Sequence, residues 1–329
     1  MRLAIFGVGG WGKNHVRTFC SILGEESVVV CDPDPARLAA ARREHPGIET
    51  CDRPRVAKDK GIDAIVIAAP AALHFELTKD ALGDGFHVLV EKPMSMTSGE
   101  AEDLVRLADG NDRILMVDHL LEYHPAVVRL KELVDDGQLG RLLHLTSRRL
   151  NLGVIRTEEN ALWSLAPHDI SVILRLLGEE PAEVSAHGAA YLQDGIPDLV
   201  HATLRFESGA LAHIHVSWLD PVKVRSLTVV GEERMAVFDD VAEEKLRLFD
   251  ARADRDGSRF VPTRAGEAVE DCGGGEPLRA VAEAFLESIE TGRPPVADGR
   301  DGLRVVRVLE AAQASLDAGG ESVQMGGAS

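Results

Sequence analysis

Positive charge is scarce in this chain. Its 36 lysines and arginines stand against 54 aspartates and glutamates, leaving −18 at pH 7. So acidic a surface repels phosphodiester backbones and anionic bilayers, which excludes nucleic acid and charged membranes as partners. It also requires a local basic patch wherever an anionic substrate docks. Cysteine is scarce too. Cys20, Cys31, Cys51 and Cys272 form no C-x-x-C pair and no metal-ligand spacing, so no metal is expected and inert thiols in a reducing cytoplasm are the reading. Long hydrophobic runs are absent, none approaching the ~18 residues of a membrane span. The chain opens directly on a strand with no signal peptide, which makes the cytoplasm the expected location. No internal repeat is present.

Hydrophobic residues at 45% and charged residues at 27% are ordinary for a globular chain. A length of 329 residues exceeds what one core usually holds, so two domains are expected.

The richest stretch is the start. Arg2–Phe6 is a short apolar strand, and Gly7-Val8-Gly9-Gly10-Trp11-Gly12 follows at once. Residues 12–23 carry a helical pattern, Val28–Cys31 is a second strand, and Asp32 stands at its carboxyl end. In a dinucleotide site Gly7 permits the tight turn, Gly9 lets backbone approach a pyrophosphate, and Gly12 lets helix pack on strand. The helix N-terminus faces the phosphates, and Asp32 accepts from the adenosine ribose. A bare G-x-G-x-x-G is weak evidence, but its place between strand and helix with an acid about twenty residues on lifts it. Asp32 and Asp34 repel a 2′-phosphate, so NAD is favoured over NADP, with Arg37 the opposing charge.

Strand and helix keep alternating: helix 35–44, strand 62–69 closed by Pro70, helix 71–82, strand 86–90, helix 98–108, strand 113–117. That grammar means a doubly wound parallel sheet covered on both faces. From about residue 140 it changes. A strand at 142–149, a helical stretch at 160–177 and strands at 182–192, 199–206, 210–218, 224–230, 235–238 and 245–249 predict an α+β domain on a large open, mostly antiparallel sheet. Residues 251–276 read as a loop excursion, and helices 277–291 and 300–318 close the chain. The expected domains are 1–120 and 121–329, with helices 277–318 packing back near the first.

Glu91-Lys92-Pro93 stands at the carboxyl end of strand 86–90, where open α/β sheets bind ligands, so Lys92 projects into the crevice of the glycine turn. Pro93 holds Lys92 extended and makes a cis bond available. Desolvation and a cationic nicotinamide favour neutral Lys92, which suits proton exchange with a substrate hydroxyl. His119 ends strand 113–117 nearby. His213 and His215 share a strand face and His201 lies on a neighbour, but no third ligand has a recognisable spacing.

These motifs occur in order with Ala69-Pro70-Ala71-Ala72-Leu73-His74, Ala166-Pro167-His168-Asp169 and Pro295-Val296-Ala297-Asp298-Gly299-Arg300-Asp301-Gly302-Leu303. As a set the chain resembles the Gfo/Idh/MocA oxidoreductases over almost its whole length. The resemblance implies an N-terminal Rossmann domain, a C-terminal domain whose open sheet mediates homo-oligomerisation (dimer or tetramer), and hydride transfer between a sugar or cyclitol carbon and NAD. The implied cofactor contacts are Gly7, Gly9, Gly10, Trp11, Gly12, Asp32, Arg37, Ala69, His74, Glu91 and Lys92. Lys92 and His168 are the implied catalytic pair. The family's D-x-x-x-H places Ser164 where the aspartate usually stands, so His168 lacks that orienting partner.

The stretch Leu150–Arg156, with Glu159–Trp163 and Pro167–Ile170, looks most like the nucleotide-sugar 3-dehydrogenases, which oxidise C3 of a UDP-N-acetylglucosamine-type substrate. Substrate contacts are then expected from His119, Asn151, Arg156 and His168, with Arg148, Arg149 and Arg156 as candidate diphosphate ligands. A sugar or inositol dehydrogenase, a hydrolase or lyase holding NAD tightly, and a non-catalytic NAD sensor are the alternatives.

Overall fold

A computed structural model describes residues 1–326. The chain divides into two compact units, Met1–Leu120 with Glu276–Val306, and Leu121–Gly275 with the chain from Arg307 onward.

In chain order the first unit contains β1 (Leu3–Phe6), α1 (Gly12–Leu23), β2 (Val28–Cys31), α2 (Pro35–Glu44), β3 (Glu49–Cys51) and α3 (Pro54–Lys58). There follow β4 (Ala64–Ile67), α4 (His74–Gly83), β5 (His87–Val90), α5 (Ser98–Asn111) and β6 (Leu115–Val117). The six strands order as β3-β2-β1-β4-β5-β6, and every pairing is parallel. β1, β2 and β4 are buried at every position, as strands covered on both faces must be. The order reverses at β1 and β4, and ligands of open α/β sheets bind outside the strand ends at such a switch point. Asp34 starts α2 by accepting from the Ala36 N–H at 2.8 Å, with Pro35 in the first helical position.

The second unit continues with α6 (Pro125–Asp135), β7 (Leu142–Leu150), α7 (Ala161–Leu165), α8 (Pro167–Leu177), β8 (Glu183–Ala189), β9 (Leu199–Arg205) and β10 (Leu211–Ser217). Then come β11 (Val224–Gly231), β12 (Met235–Asp239), β13 (Leu246–Asp256) and β14 (Arg259–Val269). After α9 (Pro277–Thr291) and α10 (Gly299–Asp317), β15 (Val323–Gln324) adds an edge. The nine-stranded sheet runs β14-β13-β12-β11-β7-β10-β9-β8-β15. Only β7 and β10 pair in parallel. Alternation sets the faces: Ala212, Ile214 and Val216 of β10 are buried on the side covered by α7 and α8. Across β8, β9, β10 and β7 the opposite face carries the register row His187, His201, His215 and Arg148.

Three local expectations change. Residues 251–269 are no loop: β13 and β14 form a long hairpin that turns through Gly257 at φ +60°. Polar cross-strand pairs support it, Thr263 Oγ1 donating to Asp254 at 2.6 Å and Arg247 to Glu267 at 3.1 Å. Because β14 is exposed almost throughout, the apolar alternation that marks a strand is missing. The stretch 160–177 is two helices, since Pro167 has no N–H to continue α7 and instead begins α8. The strand expected at 182–192 stops at Ala189. Among the described residues no helix is long and apolar enough to cross a membrane.

Candidate active site

Gly7 takes φ +89°, and a Cβ there would lie 2.7 Å from the Ala68 carbonyl oxygen. At Gly12 a Cβ would lie 2.0 Å from the Gly7 oxygen. Neither position admits a side chain, so the turn brings α1 hard against β1. Trp11 caps α1 with no side-chain acceptor, and no acid occupies its first turn. The first N–H groups therefore point outward unneutralised, with the positive end of the helix dipole behind them. Above them the space is clear. A Cβ on Gly10 would meet nothing within 4 Å, and one on Gly9 only the Arg37 guanidinium at 3.7 Å. Such a cradle fits a pyrophosphate.

Asp32 is buried at 1% exposure. Its Oδ2 accepts from the Val8 N–H at 2.9 Å and its Oδ1 from the Asp34 N–H at 2.8 Å, which ties the end of β2 to the glycine turn. Arg37 lies 3.5 Å from both Asp32 and Asp34 and is half exposed. Its charge is already shared by two carboxylates.

The resemblance implies a cofactor contact at His74. Its Nδ1 lies 2.7 Å from the Pro93 carbonyl oxygen and its Nε2 2.8 Å from that of Ala69. Both ring nitrogens serve backbone, so the residue braces the turn after β4 against the segment after β5. Between those turns the Lys92–Pro93 bond is cis.

Beside Lys92, the carboxyl ends of β5 and β6 gather the expected Glu91 and His119 with two groups that residue spacing did not reveal, His15 and Asp118. His15 of α1 places Nε2 at 2.9 Å from Glu91 Oε1 and 3.4 Å from Asp118 Oδ2. Burial, partly offset by Lys92, raises Glu91 to about 7, while burial and the neighbouring Glu91 raise Asp118 to about 7. His119 is 1% exposed; burial lowers it to about 4, opposed by Asp301 and reinforced by Lys92. Neither ring nitrogen of His119 has a hydrogen-bond partner among the described residues. Burial and the charge of Lys92 both favour the neutral imidazole.

In the second unit the candidate arginines separate. Arg149 is buried and bonds Asp169 through two nitrogens, Nε to Oδ2 at 2.7 Å and Nη2 to Oδ1 at 3.2 Å. Ser147 also donates to Asp169 Oδ1, at 2.5 Å. The cavity beside them is about 10 Å³, room for one water and no diphosphate. Arg149 therefore anchors the first turn of α8, where His168 sits, and does not serve as an anion ligand. Arg148 is exposed on the opposite sheet face. Arg156 lies in the exposed stretch after β7, 3.5 Å from Glu159, with its carbonyl accepting from Gln193 at 2.8 Å. The Asn151 N–H donates to Ser217 at 3.1 Å. Ser164 is buried in α7 and His168 is half-buried in α8.

His201 and His215 stack with ring centres 3.9 Å apart, while His213 Nδ1 lies 3.1 Å from the Thr203 hydroxyl. Among the described residues, the tight cluster of titratable groups is His15, Glu91 and Asp118, whose side-chain nitrogen and oxygen atoms lie within 4.8 Å of one another.

A glycine cradle at an uncapped helix and an acid at the end of the next strand define a dinucleotide-binding Rossmann unit. The chain belongs to the Gfo/Idh/MocA oxidoreductases. Residues 1–119 match the family's NAD-binding Rossmann fold and residues 127–237 its C-terminal domain. It is similar to the UDP-N-acetylglucosamine 3-dehydrogenase of Acidithiobacillus ferrooxidans, 27% identical over 322 residues, covering 97% of this chain and 98% of that one. A solved structure of that enzyme superposes with a TM-score of 0.82 at 25% identity, over 97% of this chain and 98% of that one. Myo-inositol 2-dehydrogenase of Thermotoga maritima is 26% identical over 334 residues, 96% of each chain.

Proposed function

We propose that the protein oxidises C3 of a nucleotide sugar of the UDP-N-acetylglucosamine type to the ketone, with NAD as the acceptor. The observation that carries this reading is its similarity, nearly end to end, to an enzyme named for that reaction. Asp32, the N-terminus of α1 and the open space over Gly9 and Gly10 would hold the dinucleotide. Bound NAD supplies the hydride acceptor. Loss of hydride from a carbinol carbon requires that its hydroxyl proton leave, and a group within about 3 Å of that oxygen must take it. Lys92 is our candidate, placed at the carboxyl end of β5 with its loop braced by His74. Neutral His119 offers a hydrogen bond without adding charge beside Lys92. The resemblance gives His168 a hydroxyl-positioning role, with Asp169 and Arg149 fixing the start of its helix. Arg156 and Asn151 are the candidate contacts to the nucleotide diphosphate and the sugar, and the open sheet the candidate surface for a homo-oligomer.

A second reading, a cyclitol dehydrogenase, draws on the comparable similarity to an inositol enzyme and on the pairing of Arg156 with Glu159. Incubation with NAD and, separately, UDP-N-acetylglucosamine, free N-acetylglucosamine and myo-inositol distinguishes them. The nucleotide sugar should reduce NAD far more efficiently than the other two. Equal or better use of inositol would establish the second reading, and a cleaved sugar with no net NADH would indicate a hydrolase or lyase.

A further inference from the structure

We propose that His15, Glu91 and Asp118 share a proton beneath the nicotinamide half of the cofactor site, so that the charge of this cluster responds to NAD binding. The inference rests on the NAD-binding reading of the first unit and is independent of the substrate.

The juxtaposition comes from the sheet. Val90 and Val117 are register partners on parallel strands, so Glu91 and Asp118 leave neighbouring strand ends together. His15 lies one turn into α1, fully buried, with Phe19 stacked at 6.4 Å. The side chains of His15 and Asp118 are 1% exposed and that of Glu91 12%. The polar neighbours of the Asp118 carboxylate are Glu91, the Trp11 indole and His15, whose Nε2 lies 3.4 Å from its Oδ2.

Two carboxylates this close in a dry site cannot both ionise at ordinary cost: each loses its hydration and repels the other. One proton held between them relieves both penalties, as in carboxyl dyads generally. Burial, opposed by Asp118, lowers the His15 pKa and so favours the uncharged imidazole. The 2.9 Å contact of His15 with Glu91 is already a hydrogen bond, which a proton bridges without any cation. Lys92 is the positive charge acting on Glu91. The Trp11 indole hydrogen-bonds Asp118, while burial lowers the pKa of neighbouring His119, with the charge of Lys92 acting in the same sense and that of Asp301 against it.

The cluster's place in the sheet couples it to the cofactor. Asp32 ends β2, on one side of β1, and β5 and β6 lie on the other. A dinucleotide laid across the strand ends with its adenosine at Asp32 puts its nicotinamide on the β5–β6 side. Oxidised nicotinamide is cationic and favours the deprotonated cluster, whereas the reduced ring is neutral and does not.

Calorimetry of NAD⁺ binding to the full chain near pH 7, in two buffers of different ionisation enthalpy, tests this. The protein should release a fraction of a proton with NAD⁺ and essentially none with NADH or AMP. If binding lowers the pair by about one pK unit, affinity for NAD⁺ rises about fivefold between pH 6 and pH 8, within a full linkage of about tenfold. Asp118→Asn and Glu91→Gln should each abolish the release and flatten the pH dependence. Infrared difference spectra of the unliganded protein between those pH values should show a protonated carboxyl band that either variant loses, and the unaltered protein alone suffices for this reading if the variants fold poorly. Binding of NAD⁺ without proton release, release unchanged in the variants, or no such band overturns the inference. Failure of NAD⁺ to bind at all overturns the cofactor reading and the coupling with it.

Discussion

Replacing Asp169 by alanine strips the carboxylate from a buried cluster. Arg149 is left with a desolvated guanidinium that had two bonds to it, at 2.7 and 3.2 Å, and Ser147 loses its acceptor. No nearby anion takes over cheaply. The cross-strand neighbour of Arg149 is Arg225, a like charge whose own carboxylate, Asp240, stands at 3.7 Å. Breaking a buried pair from one side costs about 3–5 kcal/mol, because an uncompensated charge remains. At about 2–4 °C per kcal/mol for a domain of this size, the transition of the second unit should fall by roughly 6–20 °C in a thermal melt. Arg149→Met in the same chain removes the orphaned charge. The double variant should therefore be more stable than Asp169→Ala alone, a coupling readable from a double-mutant cycle in urea. If Asp169→Ala melts within about 2 °C of the unaltered protein, or the second substitution simply adds to the loss, Arg149 is not held as the structure indicates.

Asp32→Ala should weaken NAD binding and narrow the gap to NADP in calorimetry; tighter NADP binding by the unaltered protein would contradict the role of Asp32. Gly12→Ala drives a Cβ to within 2.0 Å of the Gly7 oxygen, so it should abolish NAD binding or cost at least about 1–3 kcal/mol of stability in chemical denaturation. Lys92→Met should reduce turnover by roughly 10² to 10⁴ while NAD still binds, a split that stopped-flow and binding titrations resolve. Glu91 and Asp118 bind protons more tightly in the folded chain than in the unfolded one, so their contribution to stability diminishes as pH rises from about 4.5 to 7. Denaturation of Asp118→Asn across that range should show a shallower decline than the unaltered protein.

The β1–α1–β2 unit is legible in sequence because its chemistry is local: strand, glycines, helix and Asp32 follow within one stretch. The parallel sheet is legible for the same reason, from fully apolar strands alternating with helices. His15 and Asp118 are another matter. They lie 103 positions apart (118 − 15), and only the order β1-β4-β5-β6 brings them to Glu91. The positional hint was an acid at the end of the strand beside Glu91-Lys92-Pro93. Arg149 misleads for a related reason, since a basic residue on a strand looks available until helix α8 is packed against it. The β13–β14 hairpin hides because exposure on both faces removes the apolar alternation by which strands are read.

The most direct test of the functional proposal follows the hydrogen. UDP-N-acetylglucosamine carrying deuterium at C3 is incubated with NAD and the protein, and the nicotinamide product is analysed by mass and NMR. The proposal requires deuterium at C4 of the reduced ring and a 3-keto sugar in equal amount. Unlabelled NADH, or no reduction with this substrate while inositol is oxidised, would contradict it.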